Sequence, residues 1–142
     1  MEYRYSGHGV YETEYHICWI TKYQRKVLNP GVEVYLKKVI HKIVREMAEV
    51  EIKEIGVDKD HIHMVMVIPP KYSVSSVVGR IKSQSTSQIR DKFNFIKKVY
   101  WNEEVLWSPG YYVSTVGKDE ERIRKYVKWQ GQRDLGQIKI TF

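Results

Sequence analysis

A chain of 142 residues with 42% apolar and 29% charged residues can bury a core of its own and reads as one domain over 1–142. Its single cysteine, Cys18, excludes an internal disulfide and a thiolate zinc site, and no apolar run approaches the ~20 residues a membrane span needs. The net charge of +7 favours a polyanionic partner, although a lysine-rich surface kept for solubility gives the same balance.

Residues 1–14 lack clear periodicity and read as an N-terminal arm. "YHICWITKY" (15–23) is rich in aromatic and β-branched residues and reads as a strand closed by the polar turn "QRKVLNPG". A helix is predicted over 32–48, where Leu36, Val39, Ile40, Ile43, Val44 and Met47 recur at three- and four-residue spacing. Residues 50–57 alternate as a half-buried strand, and 61–68 form a second strand stopped by Pro69 and Pro70. The helix predicted over 73–93 has Val74, Val77, Val78, Ile81, Ile89 and Phe93 on one broad face. Residues 94–110 follow no single period; a short strand is expected near "VYW" and a loop at "SPG". A strand over 111–117 ends at Gly117, and a helix follows over 119–130, with Asp119 as N-cap and Gly131 as stop. The tail, 132–142, reads as a short strand or an arm.

The order β-α-β-β-α-β-α predicts an α+β fold. It is a ferredoxin-like, RRM-like split βαβ antiparallel sheet with helices packed on it and one extra C-terminal helix. That architecture hosts many functions, so the site must decide.

Within "DKDHIHMVMVIPP" (58–70), His61 and His63 are two residues apart on a strand and share a face. At a separation of roughly 6.6 Å their imidazoles can lean onto one metal ion. A His-x-His is common enough by chance that a structural role is equally open. Downstream, Ile123, Tyr126, Val127 and Gln130 fall on one face of one helix. A glutamine on an apolar stripe needs a partner. Either Gln130 caps a carbonyl at the helix end while Tyr126 packs, or Gln130 gives an oxygen to a metal beside the Tyr126 hydroxyl. Oxygen and imidazole donors without thiolate suit Mg²⁺ or Mn²⁺.

"HIH" on a strand followed by "YVKWQ" on a later helix resembles the HUH single-tyrosine transposases of the insertion-sequence-200-like family. "YHICWITKYQRKVL", "VGRIKSQSTSQI" and "WSPGYYVSTVG" resemble that family's first strand and basic turn, second helix and approach to the tyrosine helix. The resemblance implies that Tyr126, on a tyrosine helix over 119–130, is the nucleophile and that His61, His63 and Gln130 hold Mg²⁺ or Mn²⁺. It implies cleavage and rejoining of single-stranded DNA at insertion-sequence ends through a 5′-phosphotyrosine. The implied partners are hairpin-bearing DNA and a second copy of the chain, with Gly117 as a hinge for exchanging the helix. A prokaryotic cytoplasmic, nucleoid-associated setting is expected, with no membrane. Lys22, Arg25, Lys26, Arg80 and Lys82 are candidate phosphate contacts, each of which a solvated surface charge explains equally well. The rivals are a domesticated repeat-processing nuclease, a rolling-circle nicking protein, and a split-βαβ nucleic-acid-binding module in which both histidines are structural.

Overall fold

The computed structural model describes residues 3–6, 9–115 and 120–136. Strands β3 (Glu14–Ile20), β4 (Glu51–Val57), β5 (His61–Val67) and β6 (Tyr112–Ser114) form one antiparallel sheet in the order β4-β5-β3-β6. Helices α1 (Pro30–Arg45) and α2 (Val74–Lys92) make the two crossovers, so the sheet has the expected ferredoxin-like connectivity.

Alternation along the two central strands assigns each face its job. Ile17 and Trp19 of β3 and Ile62, Met64 and Met66 of β5 join the apolar side chains of α1 and α2 in the main core. The intervening residues point to the opposite face, where Cys18 and Ile20 meet Val127 of the C-terminal helix α4 (Glu120–Asp134). Local signals set the ends of the crossover helices. The Asn29 side chain accepts from the Val32 amide at 3.0 Å ahead of Pro30, and Ser73 accepts from the Ser76 amide at 3.1 Å.

Four features depart from the expected pattern. The arm contains a two-stranded pair, β1 (Arg4–Ser6) and β2 (Gly9–Tyr11), tethered to β4 by an Arg4–Glu51 ion pair at 2.8 Å. A short helix, α3 (Asn94–Val99), stands where a strand near "VYW" was expected, because Ile96 and Tyr100 bury four residues apart. Strand β4 carries a register shift between Ile52 and Glu54, so Ile52 and Ile55 both pack on the core despite their odd spacing. Helix α4 runs through Gly131 to Asp134, and it is Gly136, at φ 70°, that takes the left-handed turn beyond its end. Gly117, Asp119 and the segment 137–142 lie outside the described residues. No described helix is long and apolar enough to cross a membrane.

Candidate active site

The antiparallel register places Ile20 opposite His61 and Cys18 opposite His63, so both histidines occupy the sheet face that α4 covers. Their ring centroids are 6.2 Å apart. On the other side of β5, Gly56 is the cross-strand partner of His63. A Cβ at Gly56 would overlap Nε2 and Cε1 of that imidazole, so the ring occupies space that only glycine leaves open. The register shift in β4 is what brings this glycine, and not the neighbouring Ile55, opposite the histidine.

Two carboxylates bracket His61. Asp60 Oδ1 lies 2.8 Å from its Nδ1, and Asp58 Oδ2 lies 2.9 Å from its Nε2. An imidazolium satisfies both contacts. A neutral ring that donates Nδ1–H to Asp60 instead turns its Nε2 lone pair toward an anionic oxygen, an arrangement a cation resolves. The hydrogen bond from His61 is the main reason the Asp60 carboxyl is held below the usual carboxylate range; one from the Gln24 amide adds to it, against an opposing effect of burial. Donor atoms of Asp58, His61 and His63 all lie within 4.8 Å of one another. One oxygen and two nitrogens around a shared point, with a carboxylate behind one imidazole, form a donor set that could hold a divalent cation. The cluster opens into a cavity of about 380 Å³ whose other walls are Glu120, Ile123 and Arg124 of α4.

Tyr126 and Gln130 lie on the same helix but do not line that cavity. Tyr126 packs in the small cluster with Cys18, Ile20 and Val127, its ring 5.9 Å from that of Tyr112. Its hydroxyl is buried with no hydrogen-bond partner among the described residues, and burial raises its pKa well above the phenol range. Gln130 is 2% exposed and gives its amide to Ser108 Oγ at 2.9 Å and Asp134 Oδ1 at 3.0 Å. Within one chain, therefore, the histidines gather with Asp58, while Gln130 belongs to a separate buried polar group.

A sequence profile described as "Transposase IS200 like" matches residues 9–130. The chain belongs to the IS200-like transposases. The IS200 transposase of Salmonella typhimurium is 37% identical over 128 residues, covering 90% of this chain and 83% of that protein. The ISDra2 transposase TnpA of Deinococcus radiodurans is 28% identical over 130 residues, covering 90% and 91%. Among solved structures, a crystal structure of a candidate transposase from Deinococcus radiodurans superposes with a TM-score of 0.81 at 28% identity, covering 89% of this chain and 97% of that one. A REP-associated tyrosine transposase bound to a REP hairpin shares the fold, with a TM-score of 0.55 at 17% identity, covering 95% and 75%.

The basic residues singled out from the transposase sequence have different surroundings. Lys22 lies 4.9 Å and Arg25 6.0 Å from the Tyr23 ring centroid, and Lys26 is exposed. Arg80 pairs with Glu46 at 3.2 Å. Lys82 donates to the carbonyls of Ser108 at 2.7 Å and Gly110 at 2.8 Å, so it ties down the "SPG" loop. Burial pushes its ammonium down to about 8.

Two residues at the transposase's cavity escaped sequence reading. Asp58 sits in the turn before β5, where strand alternation gives no orientation, although its position three residues before His61 was a usable signal. Arg124 points to the cavity from a helix face on which only the apolar stripe was legible.

Proposed function

We propose that this transposase cleaves and rejoins single-stranded DNA at insertion-sequence ends, with Tyr126 as nucleophile and with His61, His63 and Asp58 holding Mg²⁺ or Mn²⁺. The observation that carries the reading is the Asp58–His61–His63 cluster on the sheet face beneath the helix that bears Tyr126. When bound there, the cation would stabilise charge on the scissile phosphate and favour the phenolate form of the attacking tyrosine. His61, oriented by Asp60, presents Nε2, and Arg124 offers a guanidinium at the same cavity for a phosphate oxygen. The Tyr126 phenol loses its proton to solvent and its oxygen attacks phosphorus in line. The new O–P bond replaces the bond to the 3′ oxygen, which leaves as a 3′-hydroxyl. One phosphodiester is exchanged for another, so no nucleotide hydrolysis is needed. Attack by a different 3′-hydroxyl reverses the step and joins new ends.

The docked Tyr126 and Gln130 have to move before they can act, since one is buried without a partner and the other is bonded to Ser108 and Asp134. We read the active form as a homodimer in which α4 reaches the histidines of the partner copy, with Gln130 then adding an oxygen donor. The chain is read as one HUH-type domain working at the nucleoid of a prokaryotic cytoplasm. Hairpin-bearing single-stranded DNA is the inferred partner, and the hairpin held by the REP-associated fold neighbour supports that form.

The test incubates the protein and Mg²⁺ with labelled single strands carrying element ends. A covalent protein–DNA adduct that is lost in Tyr126→Phe and in His61→Ala supports the reading. An adduct that persists in Tyr126→Phe, or transfers its dependence to Tyr111 or Tyr112, overturns the assignment of the nucleophile.

A further inference from the structure

The turn after β3 is the most unusual backbone among the described residues. Tyr23 and Gln24 follow one another at φ 58° and φ 55°, the left-handed region that side chains other than glycine rarely adopt. Contacts on both sides hold the turn there. The Tyr23 amide donates to Asp134 Oδ2 at 2.9 Å, and the Thr21 amide donates to the Asp60 carbonyl at 2.9 Å. A pair of conformationally costly residues fixed between a helix end and the turn before β5 points to a constrained junction.

Gln24 spans that junction. Its Nε2 donates to Asp60 Oδ2 at 3.0 Å, while Asp60 Oδ1 faces His61 Nδ1 at 2.8 Å. The other end of the carboxamide lies against Gly131 of α4, where a Cβ would overlap Gln24 Oε1. This close approach explains a glycine in mid-helix, which costs about 1 kcal/mol relative to alanine. A continuous line of contacts thus runs from the α4 backbone through Gln24 and Asp60 to His61.

We propose that Gln24 is a positioning residue that couples the seating of α4 to the orientation of His61. This rests on the metal-site reading above and extends it to a residue outside the Asp58–His61–His63 cluster. With α4 seated, the carboxamide holds one oxygen of Asp60 and leaves the other to fix the His61 ring, with Nε2 turned toward Asp58 and His63. When the helix leaves, Gln24 gains the space that Gly131 filled and Asp60 loses its fixed partner. Departure of the tyrosine helix is therefore sensed at the cation site of the same chain.

Mn²⁺ binding, followed by titration calorimetry and by the absorption spectrum of a Co²⁺ substitute, tests the coupling without strand cleavage. Gln24→Gly removes the carboxamide while easing the left-handed backbone, and Gly131→Ala pushes the carboxamide off Asp60. Each is expected to weaken Mn²⁺ binding by about tenfold, as loss of a group behind a ligating histidine does. The double variant is expected to bind no more weakly than Gln24→Gly alone, because the alanine methyl then has nothing to displace. Wild-type affinity in both single variants, or independent losses that multiply in the double variant, overturns the coupling. His61→Ala separates this outcome from failure of the site itself. If it loses Mn²⁺ while Gln24→Gly and Gly131→Ala do not, only the coupling falls; if it binds like wild type, the metal-site reading falls and the coupling with it. Gly131→Ala adds a single methyl to a helix and carries the test alone if Gln24→Gly does not fold.

Discussion

Replacing Gly56 with alanine adds one methyl group beside His63, in the wall of the proposed cation site. The new Cβ would lie well inside van der Waals contact with Nε2 and Cε1 of His63, so the imidazole must swing out of its pocket. Holding such a ring ~30° from a staggered rotamer costs about 0.5–1.5 kcal/mol. If cation binding requires the original position, that cost weakens binding by roughly two- to tenfold, and a ring that leaves altogether removes one of three donors. Stability should move little, because alanine in a strand recovers about 0.5–1 kcal/mol of the conformational freedom that glycine loses on folding. Gly56 is not among the glycines with positive φ, so alanine meets no backbone penalty. Mn²⁺ titration beside urea unfolding therefore separates the two quantities: weaker metal binding at nearly constant stability. Gly79→Ala is the control. It adds a methyl where nothing lies within 4 Å, on an exposed turn of α2, and should stabilise by about 1 kcal/mol with metal binding unchanged. Wild-type Mn²⁺ affinity in Gly56→Ala would refute the role of His63 as a ligand seated against this glycine.

Tyr126→Phe should be neutral or stabilising by about 1 kcal/mol, because it deletes a buried hydroxyl that has no partner; urea unfolding checks this, and marked destabilisation would show that the hydroxyl is bonded in solution. Lys82 gives a pH signature. Its ammonium is pushed down to about 8 from 10.5, chiefly by burial, so between those values the unfolded chain holds a proton that the folded chain has released. Stability contributed at this site should then rise with pH across that window, so wild type should gain stability relative to Lys82→Met between pH 7.5 and about 9.5. A difference that stays flat across that range would refute the assignment. Charge reversal at Arg124 should weaken binding of single-stranded DNA and reduce its salt dependence, measured by fluorescence anisotropy at several salt concentrations; an unchanged salt slope would remove Arg124 from the DNA interface.

The elements that the sequence makes legible are those whose period is set by burial on one face. Helix α1 and strands β3 and β5 have uninterrupted apolar spacing, and the histidine pair inherits its orientation from that alternation. Legibility fails where a contact between distant residues overrides local pattern. In β4 the shift at Lys53 breaks the two-residue period, so the special place of Gly56 depends on pairing with β5. Gly131 looks like a stop because glycine usually ends helices, yet here it makes room for Gln24, a residue 107 positions earlier in the chain. An apolar stripe calls for a polar partner to Gln130, but that the partners are Ser108 and Asp134 follows only from the placement of the loop before β6.

Because β5 is covered on both faces, each of its positions meets one of two physical demands, and the two interleave residue by residue. Substitutions at Ile62, Met64 and Met66 should change how much folded protein a cell holds, whereas under the proposed function those at His61 and His63 should change what each folded molecule can do. A one-residue slip of the strand against its neighbours would exchange the two sets, turning imidazoles into the core and methionines toward the cavity. The length of this strand therefore constrains the molecule as tightly as its composition, since the core rests on the even positions and the proposed cation ligands on the odd ones.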